Sequence, residues 1–411
     1  MRKERLIVPV AVGLAVIWAL AQYLAALLFE RELARALLDL EARGELVVER
    51  SGVERGWLSS SGIVQISPVL GDGWRLQLSY EARHGVFSTR VEGEARPLAG
   101  PHQVRLFGDW LPSSPPRWHA HYQTLGGTLE GSIQLAPFLV SQGDRELDFR
   151  GGQVSFGGQQ GDWRLRAHTQ PWRLTDGVAT LESGRASLES RYAYTAGAHH
   201  FTQHDLLRLD HLAWQQPGLQ LEARELDYRS RMLLDDSELR IDSELTLNEV
   251  LAAQQVLLTG RVALELSRIN ADAVRETLAA LGQQAAKAYR LEPRELLAAL
   301  EPELVALLAD SPRLDLTEVD LESPMLGLVV RGDGALFFDP RRLDELSPSR
   351  LDDAAEQARW LARLDGDATW REVPTVVALW LGLPLGTRDL EIDVIRGRVR
   401  VNGRPLPPLW R

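Results

Sequence analysis

Cysteine is absent from all 411 residues. That excludes disulfides, thiolate nucleophiles and cysteine-based metal sites together. Lysine is nearly absent too: only Lys3 and Lys287 occur, so arginine carries almost all the positive charge. The bias reads as genomic GC composition rather than as a binding signature. Basic charge is also outweighed, since 57 Asp and Glu against 46 Lys and Arg leave a net charge of −11. No basic stripe is available for a phosphate backbone, which argues against nucleic acid. Electrostatic docking onto anionic lipid is disfavoured for the same reason. Glycine loops of the Walker or Rossmann type are lacking, so nothing cradles a nucleotide phosphate.

What the chain does have starts at its N-terminus. Leu6 to Phe29 is a run of 24 residues without a charged side chain, preceded by Arg2, Lys3 and Arg5. As a helix it would cover the roughly 30 Å of a bilayer core. Two readings fit. A cleaved signal peptide would use Ala19-Leu20-Ala21 as its small-x-small site. A signal-anchor would stay apolar beyond that site, as Leu24-Ala25-Ala26-Leu27-Leu28-Phe29 does. Helical pattern then continues, with Leu33, Leu37, Leu38 and Leu40 interleaved with Glu30, Arg31, Glu32, Arg35, Asp39 and Glu41, until Gly44. The continuation favours the anchor. Flanking Lys and Arg are nearly balanced, with Arg31, Arg35 and Arg43 on the far side. A short basic tail is nevertheless harder to translocate than a large domain. The expected layout is a cytoplasmic tail 1–5, a transmembrane helix 6–29, a juxtamembrane helix 30–43 and a periplasmic ectodomain 44–411. The address is a bacterial inner membrane, crossed once.

Beyond Gly44 the dominant period is two. Trp74, Leu76, Leu78 and Tyr80 alternate with polar residues, as do Leu129, Gly131, Ile133 and Leu135. Trp163, Leu165 and Ala167 follow the same rule, and so do Val256 to Leu266. One apolar and one polar face per strand indicates antiparallel sheet with one wetted side. Gly71-Asp72-Gly73, Gly126-Gly127, Gly151-Gly152 and Gly157-Gly158 read as turns between strands. Asn402-Gly403 is a tight-turn dipeptide. Helical period is confined to 271–309, 351–364 and 374–383, the last an apolar plug around Trp380. The expected fold class is α+β: an N-terminal transmembrane helix, then a β-rich ectodomain of long, mainly antiparallel, curved sheets with a few helices.

Residues that could carry chemistry are few. His199, His200, His204 and His211, with Asp205 and Asp210, form the one metal candidate. Imidazole and carboxylate suit zinc, but the zincin spacing is missing and the segment reads as strand, where i and i+4 lie about 13 Å apart. An exposed histidine loop is the simpler reading, and no metal or other cofactor is expected. Ser59-Ser60-Ser61 lacks the Gly-x-Ser-x-Gly spacing and leads into a strand, not the helix of a nucleophile elbow. Asp235-Asp236 and Asp352-Asp353 are adjacent pairs with no catalytic frame. No catalytic residue is assigned. Gly56-Trp57 reads as a bend followed by a ring buried over the first strands.

One resemblance emerges from these strings. The N-terminal apolar segment and then Glu54-Arg55-Gly56-Trp57-Leu58-Ser59-Ser60-Ser61-Gly62 resemble the opening of the YdgA-like family of bacterial envelope proteins. The stretch Pro302 to Leu316, the turn Ser323-Pro324-Met325-Leu326-Gly327 and the ending Gly397 to Leu406 resemble its later landmarks. The resemblance implies an inner-membrane address and a β-rich architecture, with no activity attached. The expected function is a non-enzymatic envelope protein that binds or passes lipid, or assists membrane assembly. The AsmA-like class, which holds acyl chains on an apolar sheet face, is an analogy only. Two alternatives stand beside it: a closed β-sandwich that scaffolds protein interactions in the periplasm, and an envelope hydrolase using the His199–His211 or Ser59–Ser61 segment.

Overall fold

A computed structural model describes residues 4–41, 46–68, 74–99, 104–105, 115–195, 200–287, 293–384 and 386–406, with first-helix side chains from Val16 onward. The chain opens with α1 (Glu4–Glu41), a single 38-residue helix. Residues 6–29 and 30–41 are therefore one rod, and 42–44, with Gly44 as the expected stop, lie outside the described residues. Among the described residues no helix is long and apolar enough to cross a membrane. Of the uncharged run, side chains are described only from Val16 to Phe29.

An antiparallel meander follows. It runs through β1 (Leu46–Arg55), β2 (Ser59–Pro68), β3 (Trp74–His84), β4 (Ser88–Ala99), the two-residue β5 (Val104–Arg105), β6 (Arg117–Gln123) and β7 (Thr128–Leu135). Of the Pro-rich stretch Leu111–Pro116, read from the sequence as a loop, residues 111–114 lie outside the described residues. The next four passages across the sheet are each broken near the middle. They are β7 with β8 (Phe138–Gln142), β9 (Arg145–Phe149) with β10 (Gly152–Gln159), β11 (Asp162–Thr169) with β12 (Trp172–Asp176), and β13 (Ala179–Ser183) with β14 (Ala186–Tyr194). The breaks fall at Pro137, Gly151, Pro171 and Gly184. Proline has no N–H for the ladder, and Gly151 adopts φ 100°, which favours glycine. Because these passages are neighbours, the breaks line up as a crease across the sheet.

Unbroken strands continue with β15 (Phe201–Gln216), β16 (Leu219–Leu234), β17 (Glu238–Ala252) and β18 (Gln255–Asn270). The crease persists there as a gap in the ladder: Asp210 and Glu225, opposite each other, drop out of the β15–β16 pairing with the register unchanged, Glu225 at φ 50°. Three helices come next, α2 (Ala271–Lys287), α3 (Pro293–Ala299) and α4 (Glu301–Ala306). The helix expected over 293–309 is thus two short ones, parted at Leu300 where Pro302 starts a new first turn. The sheet resumes with β19 (Arg313–Ser323) and β20 (Leu328–Phe338), then α5 (Ala354–Leu361), β21 (Leu364–Arg371), α6 (Thr375–Trp380), β22 (Leu390–Ile395), β23 (Arg398–Val401) and β24 (Arg404–Pro405). In the plug expected at 374–383, Ala378 and Leu383 do enter a core cluster, but Trp380 is 80% exposed. Gly157 and Gly158, expected to form a turn, lie inside β10.

All the described strands belong to one sheet. It coils about α1. Nine neighbouring strands run from β1 to β14, eight spacings that would span about 38 Å laid flat. Yet Glu30, paired with Arg50 on β1 at 2.9 Å, and Asp39, bonded by Tyr194 of β14 at 2.8 Å, are only about 13.5 Å apart along the helix. The strands must wrap the helix to reach both. The wrapped contact is apolar: Phe29 packs with Val64, Tyr80, Ala82, Val91, Ala120 and Tyr122, and Leu33 and Leu37 extend the cluster. Ala82 and Ala120 leave room for the helix to approach.

Phe29 is therefore the residue on which the helix–sheet joint turns. Phe29→Ala is expected to cost about 3 kcal/mol or more, because the surrounding strands are too constrained to close the cavity. Urea denaturation would show it, together with faster amide exchange in β3 and β6. Unchanged exchange there would mean that α1 does not hold the sheet.

Candidate functional site

The sheet has two unlike faces, and the cross-strand register sets which side chains share each. On one face Arg164, Arg191, His204, Arg231, Asp242 and Glu265 stand in consecutive register. This face forms a wetted trough of about 650 Å³. Its charges pair across strands, as in Arg261–Glu244 at 2.7 Å and Arg240–Glu265 at 3.5 Å. Exposed pairs of this kind contribute little stability each and mainly keep the face soluble.

The opposite face is apolar over many strands. One row passes from Leu129 through Trp163 and Tyr192 to Met232, Ile241, Leu266, Leu314 and Leu336, with Gln203 as its polar interruption. A second row joins Ile133, Val154, Ala167, Leu188, Leu207, Tyr228, Leu245, Val262 and Val319. Two helices cover parts of it. α1 seats over β1 to β14, and α2 closes one corner with Ala271 and Val274 against Leu234. Between them Leu207, Tyr228, Leu245, Leu264 and Leu314 each remain 37–41% exposed. This is an open apolar lane, where a sheet face of a closed core would be buried.

Where the lane meets α1 there is a cleft of about 380 Å³. Phe29, Leu33 and Leu37 line it from the helix, and Tyr122, Trp163, Tyr192 and Tyr194 from the sheet. The Tyr194 hydroxyl donates to Asp39, and Arg35 reaches Gln160 at 3.3 Å. Burial first, then Asp39, pushes the Tyr194 phenol above its usual range, so it remains a donor. Apolar walls with a few polar groups at one side are the usual make-up of a small-molecule pocket.

The residues singled out in the sequence fall elsewhere. His200 sits at the start of β15 and bonds Asp236 at 2.6 Å, while His211 faces Glu222 at 3.4 Å. His204 stands on the wetted face, about 23 Å along the strand from His211, and His199 lies outside the described residues. Among the described residues no group of three or more His, Asp or Glu could hold a metal ion. Asp235 instead caps its turn, accepting from Glu238 N and Ser237, which lowers its pKa to about 2. Asp353 caps α5 through Ala355 N. Trp57, expected to be buried, is half exposed at the β1–β2 turn.

Ser60 does have a partner that sequence reasoning missed. His84 Nε2 lies 3.1 Å from Ser60 Oγ, and Nδ1 lies 3.3 Å from Thr89 Oγ1. A nucleophile–base pair would have a group to orient its imidazole and room for a substrate. Here the orienting group is a hydroxyl rather than a carboxylate, all three side chains are buried, and the Phe29 ring lies 5.3 Å from the imidazole. The trio is a satisfied polar network beneath α1. Twenty-odd residues of sequence separate Ser60 from His84, and only the β2–β3 pairing brings them together.

A family model described as "Bacterial protein of unknown function (DUF945)" matches residues 1–370. The chain belongs to that family. The match runs from α1 into β21, so it takes in the wrapped helix, the cleft and the lane of this DUF945 protein. No curated protein and no solved structure matches the chain.

The buried His84 makes the joint sensitive to acid. Desolvation lowers its pKa below the ordinary 6.5, with Glu30 opposing more weakly. A depressed pKa means stability that is present above pH 6.5 and lost as pH falls through the folded-state value. Unfolding midpoints between pH 7.5 and about pH 5 should decline in the wild type, and His84→Gln, which keeps hydrogen bonding without titrating there, should flatten that decline. Parallel declines in both proteins would remove His84 as the cause.

Proposed function

We propose that this DUF945 protein is a non-enzymatic envelope protein that holds lipid acyl chains on its sheet. The observation that carries the reading is the uncovered apolar lane running into the aromatic cleft beside α1. An acyl chain is the chemistry that fits a long, narrow, apolar surface with little hydrogen-bonding capacity. Supporting it, the described strands pair as one sheet and five side chains of the lane stay partly exposed, where a closed sandwich would bury them.

The finer placement belongs to the same proposal. Because Gln22–Phe29 packs on the sheet, the part of the uncharged run free to enter the inner membrane is Leu6–Ala21, about 24 Å of helix, with residues 1–5 cytoplasmic and the sheet periplasmic. The YdgA-like resemblance agrees with this address. A second reading, a scaffold for envelope proteins, draws on Met325, Leu326 and Trp380, which are exposed beyond the other ends of the strands.

The test is native mass spectrometry on the full chain after delipidating detergent washes. Because α1 fills the coil of the sheet, removing it would change the site, so the helix must stay. Stoichiometric phospholipid should remain on the wild type and disappear from Leu207→Glu with Leu245→Glu. Both positions are already partly solvated, so the thermal midpoint should move by only a few degrees, as about 1 kcal/mol would. A lipid-free wild type, or equal lipid on both proteins, would end the acyl-carrier reading.

A further inference from the structure

Three turns beside α1 share an unusual chemistry. Gly56-Trp57-Leu58-Ser59 joins β1 to β2, Gly85-Val86-Phe87-Ser88 leads into β4, and Thr124-Leu125-Gly126-Gly127 joins β6 to β7. None of these residues carries a charge. Each turn instead displays large apolar groups to solvent: Leu125 is 86% exposed, Phe87 72%, and Trp57 and Leu58 48% each. Turns of soluble proteins usually carry polar residues at such tips, because nothing offsets the hydration of an exposed ring.

The tips form one contiguous edge. His84 N donates to Leu58 O at 2.8 Å, which ties the first turn to the second. Thr124 N donates to Phe87 O at 3.0 Å, which ties the second to the third. α1 leaves the sheet at the middle of this edge, since Gln22 Nε2 donates to His84 O. From Gln22 towards the N-terminus burial stops: Val16, Ile17, Trp18 and Leu20 are all exposed. The sequence stays uncharged from there back to Leu6. Arg55 and Arg83 flank the tips, each at least 70% exposed.

We infer that this edge of turns seats in the lipid interface, with Trp57, Leu58, Phe87 and Leu125 inserted at headgroup level around the emerging helix. The inference rests on the anchoring reading above. A bilayer is the occupant because the apolar tips are continuous with the exposed apolar helix that leaves between them. Aromatic and aliphatic side chains with flanking arginines are also what an interface retains. A net charge of −11 disfavours electrostatic attraction to anionic lipid, so apolar insertion must supply most of the contact. The consequence for function is orientation: a chain seated on its tips as well as its helix presents the aromatic cleft at a fixed height above the lipid.

The absence of cysteine makes the test direct, because one introduced thiol is the only labelling site. Single variants Phe87→Cys, Leu125→Cys, Ile17→Cys and Leu326→Cys would carry an environment-sensitive fluorophore. The full chain would be reconstituted in phosphatidylethanolamine–phosphatidylglycerol vesicles containing shallow- or deep-doxyl lipid. All four positions are solvent-exposed, so the substitutions leave the core intact. Expected are blue-shifted emission and stronger quenching by shallow than by deep doxyl at 87 and 125. At 17 the deep quencher should dominate, and at 326, on the β19–β20 turn at the other end of the strands, neither should act. Quenching at 17 with aqueous emission at both 87 and 125 would overturn the seated edge and leave the anchor standing. Aqueous emission at 17, 87 and 125 together would overturn both. Equal quenching at 326 would show general adsorption and would also overturn the proposal.

Discussion

A sheet with one apolar face cannot stand alone in water, and in this protein a single helix meets most of that need. The described strands belong to one sheet, and five side chains on its apolar side remain 37–41% exposed. Phe29, Leu33 and Leu37 of α1 supply the cover for the first nine strands, and the sheet coils to receive them. Small residues at Ala82 and Ala120 set how closely the helix lies. The partly buried ion pair of Glu30 with Arg50, which also bonds Tyr80, gives the wrapped helix one register on β1. Such pairs add specificity more reliably than they add stability.

The open lane follows from the same constraint. One helix diameter of about 10–12 Å covers a coiled region but cannot extend over all the strands that follow. From β15 to β20 the rows of Leu, Val, Ile and Tyr continue, but beyond the α2 corner their cover does not. The crease at Pro137, Gly151, Pro171 and Gly184 changes the strand direction without ending the sheet. Strand runs about 15 residues long thereby keep their pairing on both sides of a bend. Acyl chains are then the natural complement to the uncovered stretch, and the wetted face opposite, with its laced arginines and carboxylates, has no such demand.

Much of the fold was legible in the alternation of side chains. The runs at Trp74–Tyr80, Leu129–Leu135, Trp163–Ala167 and Val256–Leu266 all form strands, since a period of two with one apolar side has few other solutions. Reading went astray where a local signal has two structural uses. Gly157-Gly158 looks like a turn but sits in β10, where Gly158 lies close against Trp163 and Asp162 of the next strand. Gly151 looks like a turn and is a kink. Trp57 looks like a core ring and is a solvent-exposed tip, because hydrophobicity alone does not say which side of a surface a residue takes. The candidate site was less legible still. The histidine cluster dissolved once β15 placed its members apart, and the Ser60–His84 pair arose only from the pairing of β2 with β3.

The amino-acid sequence by itself determined the long uncharged N-terminal segment, the β-rich class, the absence of thiol chemistry and the acidic balance. Each depends on composition or on spacing within a few residues, which local physics reads directly. Only the tertiary structure decided that α1 is wrapped rather than merely attached, that one apolar face stays partly uncovered, and that three uncharged turns gather around the departing helix. Those facts depend on strand register and on the coil of the sheet. Both are set by contacts between residues distant in the chain, which no local pattern encodes.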